Sequence, residues 1–215
     1  MKRIIIAVML FCTTIAQAQT TMKDRWLSMP DSVLPYLNES MRRDHIDFLN
    51  MNMSSEVKNS LNGKSVMDSL TTDYCVLHLN DLLVWQLILL PRESQSDSIV
   101  CSIKTFMGKG SDSEICFYNS NWQRLDESFG LLPFDSLADQ LNSFTQKPDT
   151  MTQDRFLELQ NQMAPCMIEA NFDYANRCLV LSLNSPLTEG GNEEQIKAIL
   201  KQRKFKWNGK TFIES

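Results

Sequence analysis

The stretch DYCVLHLNDLLVWQLILL, residues 73–90, decides the fold. Cys75, Leu77 and Leu79 alternate with Tyr74, Val76 and His78, and Trp85, Leu87 and Leu89 alternate with Gln86 and Ile88. Successive side chains of a strand point to opposite faces, so a period of two predicts strands and not a helix. The polar pair Asn80-Asp81 suits a tight antiparallel connection. Downstream, Ile99, Cys101 and Ile103 alternate with Ser102 and Lys104, and Ile115 and Phe117 repeat the pattern. The connectors Glu93 to Asp97 and Gly108 to Asp112 are too short for crossover helices. Val66 to Leu125 therefore reads as a four-stranded meander with a helix packed on one face.

Upstream, Asp31-Ser32 with Pro35 predicts a helical turn, and the helix resumes or continues through Met41, His45, Phe48 and Leu49, until Asn62-Gly63 breaks the pattern. Asp126 to Pro133 reads as a junction. Beyond it, Leu137, Leu141 and Phe144 have helical spacing, and Phe156, Leu159 and Met163 predict a helix begun near Thr152. Met167 to Tyr174 and Cys178 to Leu183 read as a hairpin around Ala175-Asn176-Arg177. Glu193 to Lys201 reads as a short helix with acids first and bases last, as the macrodipole favours. At the end, Asn208-Gly209 between Trp207 and Lys210 predicts a two-residue type I′ turn, with Phe205 opposite Phe212. The fold class is α+β, mostly antiparallel sheet: a four-stranded meander plus C-terminal hairpins, with helices on one face. Residues 19–125 and 126–215 form two lobes or one continuous domain.

The first eighteen residues read as a cleavable signal peptide. Lys2 and Arg3 give a positive start, Ile4 to Ile15 an apolar run, and Ala16-Gln17-Ala18 a small-x-small site that leaves Gln19 as the new N-terminus. The run is shorter than the ~20 residues of a membrane span, and no later run approaches that length. Cys12 follows Phe11, where lipoprotein processing needs a small residue, so a lipid anchor is not expected. The full chain carries 21 basic and 26 acidic residues, a net charge of −5, and loss of Lys2 and Arg3 makes the remainder more acidic. An acidic surface repels phosphate backbones, so nucleic acid is not an expected partner.

Cys75, Cys101, Cys116, Cys166 and Cys178 follow the leader, an odd number without a C-x-x-C pair. Each lies in an apolar, strand-like stretch and reads as a small buried hydrophobe, with a strand-to-strand disulfide as the alternative. No H-E-x-x-H, G-x-S-x-G or S-x-x-K is present. Gly108-Lys109-Gly110-Ser111 lacks the first glycine of a phosphate loop and reads as a turn. On a helix, Asp44, His45 and Asp47 cannot converge on a metal. Tyr74 and His78 share a strand face and are the candidate ligand-binding residues. No metal or cofactor is expected.

The strings Met29-Pro30-Asp31-Ser32, Leu34-Pro35-Tyr36-Leu37, Ile46-Asp47-Phe48-Leu49, Gly63-Lys64-Ser65, Asp73-Tyr74, Phe117-Tyr118 with Trp122, and Phe205-Lys206-Trp207-Asn208-Gly209-Lys210 follow in order. As an ordered set they resemble an uncharacterised family of exported Bacteroidales proteins, a domain of unknown function. The resemblance spans nearly the whole chain after the leader. It implies a periplasmic or extracellular location in a Gram-negative anaerobe, and neither an activity nor catalytic residues. The expected function is a non-enzymatic binding or interaction module of the cell envelope, with an envelope protein, a peptide or a lipid as ligand. The alternative is a small exported hydrolase of glycan or peptide whose carboxylates come from separate strands.

Overall fold

Period-two alternation builds a larger sheet than the four strands expected. In the computed structural model, which describes residues 20–93, 98–131, 134, 136–185 and 191–215, seven strands pair antiparallel in chain order. They are β1 (Glu56–Lys58), β2 (Lys64–Leu70), β3 (Tyr74–Asn80), β4 (Leu83–Pro91), β5 (Ser98–Phe106), β6 (Asp112–Tyr118) and β7 (Arg124–Leu125). The three added strands hide from alternation for local reasons. A bulge between Met67 and Ser69 interrupts the period of β2, and β1 and β7 are only 3 and 2 residues long. The expected leader, Ser94 to Asp97 of one connector, and Pro133 and Asp135 lie outside the described residues.

A second antiparallel sheet comprises β8 (Met167–Asp173), β9 (Cys178–Asn184), β10 (Arg203–Trp207) and β11 (Phe212–Glu214), in the spatial order β11-β10-β9-β8. The helices are α1 (Met22–Leu27), α2 (Glu39–Asn50), α3 (Leu137–Phe144), α4 (Gln153–Gln162) and α5 (Glu193–Ile199). The structure is α+β.

The helices do not lie on one face. Cys75, Leu77, Trp85, Leu87 and Val100 pack against Met22 and Trp26 of α1 and Ile46 of α2. On the opposite face Tyr74, Ile88, Leu90, Ile99, Ile103 and Phe117 pack against the second sheet, beside Phe144, Leu159 and Ile196 of α3, α4 and α5. The long buried runs of β4 and β5 carry the reason, since strands covered on both faces are apolar on both. The second cluster draws on residues from both sides of the junction, so the two halves share one core.

The sheets are joined by hydrogen bonds as well as by packing. Strand β8 is an edge, and its N–H groups on the free side meet side chains of the large sheet. Ile168 N–H donates to Asp112 Oδ1 at 3.2 Å, Ala170 N–H to Ser113 Oγ at 2.9 Å, and Phe172 N–H to Gln86 Oε1 at 2.9 Å. Gln86 Nε2 donates in turn to Asn171 Oδ1 at 2.6 Å, and Thr105 Oγ1 to the Ala170 carbonyl at 3.4 Å. Gln86 and Thr105 are buried polar residues for this reason. An edge that would otherwise recruit foreign strands is closed internally.

Two local expectations are corrected. Asp31-Ser32 opens turns, not a helix: α2 begins at Glu39, where Asn38 Oδ1 accepts from Met41 N–H at 3.0 Å. The chain from Met29 to Leu37 is instead collected by the Arg42 guanidinium, which bonds the Met29 and Leu37 carbonyls and Asp31 Oδ1 while only 2% exposed. Helix α1, not foreseen, starts with a capping box between Thr21 and Asp24. The C-terminal hairpin has a four-residue loop, because Trp207 pairs with Phe212 and Phe205 with Glu214. Asn208 Oδ1 accepts from Lys210 N–H at 2.9 Å and Thr211 N–H at 2.8 Å, an Asx turn that replaces the two-residue type I′ geometry.

Gln86→Leu keeps the size of the side chain and strands the buried Phe172 N–H. It should lower unfolding stability by about 1–3 kcal/mol in a denaturant titration. An unchanged midpoint would remove Gln86 from the joint.

Candidate functional site: a cleft where the two sheets part

Strand β7 ends almost as soon as it starts. Only Phe117↔Leu125 and Tyr118↔Arg124 pair across β6 and β7, after which the chain leaves the sheet. Ser128 to Leu131 then make a tight reversal, with Phe129 at φ 49°, Gly130 at φ 82°, and Leu131 N–H donating to the Ser128 carbonyl at 3.1 Å. This turn is pinned on the C-terminal hairpin, where Phe212 N–H donates to the Phe129 carbonyl at 2.8 Å. A Cβ on Gly130 would lie 2.3 Å from Thr211 Oγ1 and 2.7 Å from the Phe212 carbonyl oxygen, so glycine is required twice over. The Phe129 ring is thereby wedged between Phe117 and Trp207, with centroids 4.8 and 5.8 Å away.

Between this pinned turn, the outer edge of β6 and the start of β8 lies a cleft of about 760 Å³, within the range of ligand sites. Ile115, Phe117, Leu125, Leu131, Ile168 and Leu181 give it an apolar floor. Asp112, Arg124, Asp126 and Glu127 give it an ionisable rim. Arg124 is engaged by Glu114, with Nη1 3.4 Å from Oε1.

Two thiols line the cleft. Burial pushes Cys116 up to about 11, helped by the Glu114 carboxylate that accepts its S–H at 3.2 Å. Burial also raises Cys166, whose S–H points at the Met163 carbonyl at 3.4 Å. Both are therefore protonated at neutral pH, whereas a nucleophilic cysteine works as the thiolate.

Tyr74 and His78 lie elsewhere, four residues apart on β3, or about 13 Å along the strand. Tyr74 is buried between Phe172 and Tyr174, with centroids 5.8 and 5.1 Å away, and burial pushes its phenol up to about 12. His78 is half-buried and holds Asp68, Nε2 to Oδ2 at 2.8 Å. Gly108 to Ser111 lie in the β5–β6 turn. On α2, Asp44 and Asp47 are exposed whereas His45 is fully buried, so the imidazole points away from both carboxylates.

His45 is a core residue. Its Nδ1 lies 2.8 Å from Ser55 Oγ and 3.1 Å from the Ser55 carbonyl, and Ser55 Oγ donates to the His45 carbonyl at 3.1 Å. With the serine proton so committed, Nδ1 carries the hydrogen and donates. Nε2 has no partner among the described residues, and the ring lies at 68° to that of Trp26 with centroids 6.0 Å apart. Desolvation lowers the imidazole from 6.5 to about 4.

The cleft was not visible in the sequence, because its walls come from β6, the junction and β8. The one local signal is the end of alternation after Leu125, followed by polar residues and Gly130. Among the described residues, no group of three or more His, Cys, Asp or Glu is placed to hold a metal ion. Nor is any helix there long and apolar enough to cross a membrane.

A family model described as a protein of unknown function, DUF3256, matches residues 14–212. The chain belongs to that family. No curated protein matches this DUF3256 chain. Among solved structures it is similar to a domain of an uncharacterized protein from Porphyromonas gingivalis W83, with a TM-score of 0.70 and 18% identity. That likeness covers 90% of this chain and 96% of the other. At this identity it shows a shared fold alone.

Gly130→Ala should destabilise the protein by more than about 2 kcal/mol, since it adds both positive-φ strain and a steric clash. A wild-type melting temperature would contradict the pinned turn. For His45, the unfolded imidazole binds a proton near pH 6.5 and the folded one only near pH 4. Stability should thus be complete above pH 6.5 and fall as the pH drops to 4, by about 3 kcal/mol at most. His45→Gln should flatten that part of the stability profile in denaturant melts taken across the range. A profile with the same slope in the variant would assign the acid response elsewhere.

Proposed function

We propose that this DUF3256 chain is a non-enzymatic binding module of the cell envelope, exported through a cleavable leader, with the inter-sheet cleft as its binding site. The cleft is the observation that carries the reading. It has the volume of a ligand site, an apolar floor for an apolar group, and charged residues at its rim for orientation. Its walls are fixed by the Phe129 wedge and the β8 joint, which favours a preformed site over one built on binding. Neither histidine lines it, and its two thiols are held protonated. For export, the reading rests on Lys2-Arg3, the apolar run and Ala16-Gln17-Ala18.

A second reading, hydrolysis of a glycan or peptide, draws on Asp112, Asp126 and Glu127, carboxylates from separate segments that line the same cleft.

The test begins with the protein purified from its native envelope. N-terminal sequencing should find Gln19 first, and an unprocessed chain in the cytoplasm would contradict export. Mass spectrometry of extracts should recover a bound molecule that is lost in Ser128→Trp, a substitution at an exposed wall position that fills the cleft. Retention of that molecule by the variant would place binding elsewhere. Its conversion to product during incubation would replace the binding reading with the hydrolytic one.

A further inference from the structure

The cleft runs beside an open strand edge. In an antiparallel ladder, alternate residues turn their N–H and C=O groups to one neighbour and then to the other. Asn119 N–H donates to the Gln123 carbonyl at 3.0 Å, so Asn119 faces the β7 side, and Phe117, Ile115 and Ser113 follow at period two. By the same alternation the opposite set, Cys116 and Glu114 among it, turns to β5, where Cys116 stands across from Ser102 and Glu114 from Lys104. Pairing with β7 stops at Phe117. Among the described residues, no strand pairs with Asp112 to Cys116 on that side, and β8 meets this end of β6 through the Asp112 and Ser113 side chains and not through their backbone. The backbone groups of Ser113 and Ile115 therefore line the cleft as an unpaired edge of five residues, about 16 Å long.

Charge selects what can lie there. Asp112 stands at one end of the edge, and Asp126 and Glu127 stand where the chain departs at the other. Asp112 commits one oxygen to Ile168 N–H, while the rim's cation, Arg124, is already engaged by Glu114. Between the acidic ends, Ile115, Phe117 and Ile168 offer apolar contact on the inter-sheet side. A second copy of this chain, itself carrying −5 on its full sequence, is a poor electrostatic match.

We propose that β6 accepts an extended peptide segment as an added strand in this cleft, with basic side chains at its ends and apolar side chains in its middle. The inference rests on the cleft being the binding site and specifies occupant and mode. Ser113 and Ile115 supply the main-chain hydrogen bonds, the inter-sheet floor takes the apolar side chains, and Asp112, Asp126 and Glu127 hold the cations.

The probe is a fluorescein-labelled acetyl-Lys-Val-Thr-Val-Lys-amide peptide, titrated by anisotropy into the processed protein at low salt. Binding should slow hydrogen exchange at the Ser113 and Ile115 amides. Affinity should fall about tenfold when both lysines are acetylated, or in the Asp126→Asn, Glu127→Gln double variant. It should also fall when the peptide nitrogens that face β6 are methylated. Equal affinity of the methylated and unmethylated peptides, or no binding of the probe, would overturn strand addition. Concentration-dependent protection of the same amides without peptide would assign the edge to a second copy and overturn it as well. If an envelope molecule is still lost in Ser128→Trp while the probe fails, the cleft remains the site and only the peptide proposal falls.

Discussion

The molecule depends on how one strand edge is closed. Strand β8 lies across the large sheet with three N–H groups turned away from β9, and Asp112, Ser113 and Gln86 each take one of them. A buried amide left without a partner costs about 1–3 kcal/mol. The three acceptors therefore set where β8 can lie, and with it the second sheet. Packing alone would leave the two sheets free to slide or rotate, because apolar contact is non-directional. These bonds are directional, and they come from two different strands of the large sheet, β4 and β6. The same geometry decides where the sheets part, hence where the cleft opens.

The opposite face is organised around another buried polar group. Arg42 gathers two carbonyls and a carboxylate from the irregular chain between α1 and α2, and its own carbonyl accepts the Trp26 indole N–H at 3.0 Å. Trp122 adds a second tie by donating to the Arg25 carbonyl at 3.2 Å, while Arg25 donates to the Ser120 carbonyl at 2.7 Å. The N-terminal layer is thus fastened both to itself and to the β6–β7 turn. Beneath it, the indole of Trp85 donates to Ser102 Oγ at 2.7 Å, which allows a serine at the centre of β5.

Where burial alone sets the pattern, the fold was legible. Strands β3 to β6, α3, α4, α5 and the β8–β9 hairpin follow from alternation, helical spacing and turn residues. What escaped was set by tertiary partners. Gln86 reads as the wet side of a strand, yet it is buried because β8 needs it. Asp31-Ser32 with Pro35 has the composition of a helix start, but Arg42 takes the Met29 and Leu37 carbonyls on either side of it and the Asp31 carboxylate within it. Asn208 could serve a two-residue turn, and its side chain instead closes a longer loop. Tyr74 and His78 do share a face, but one is buried by the second sheet and the other is half-buried beside Asp68. The cleft has no local signature, since no single segment contains more than part of its wall.

The central claim is that the free side of β8 is closed by side chains of the large sheet. Native-state hydrogen exchange at the Ile168, Ala170 and Phe172 amides tests it most directly. Closure predicts that Ala170 and Phe172 exchange only through global unfolding, with the same denaturant dependence as amides in the centre of β5, and that Ile168 is clearly protected. Exchange of all three at the rate of an open, solvated strand edge would contradict it.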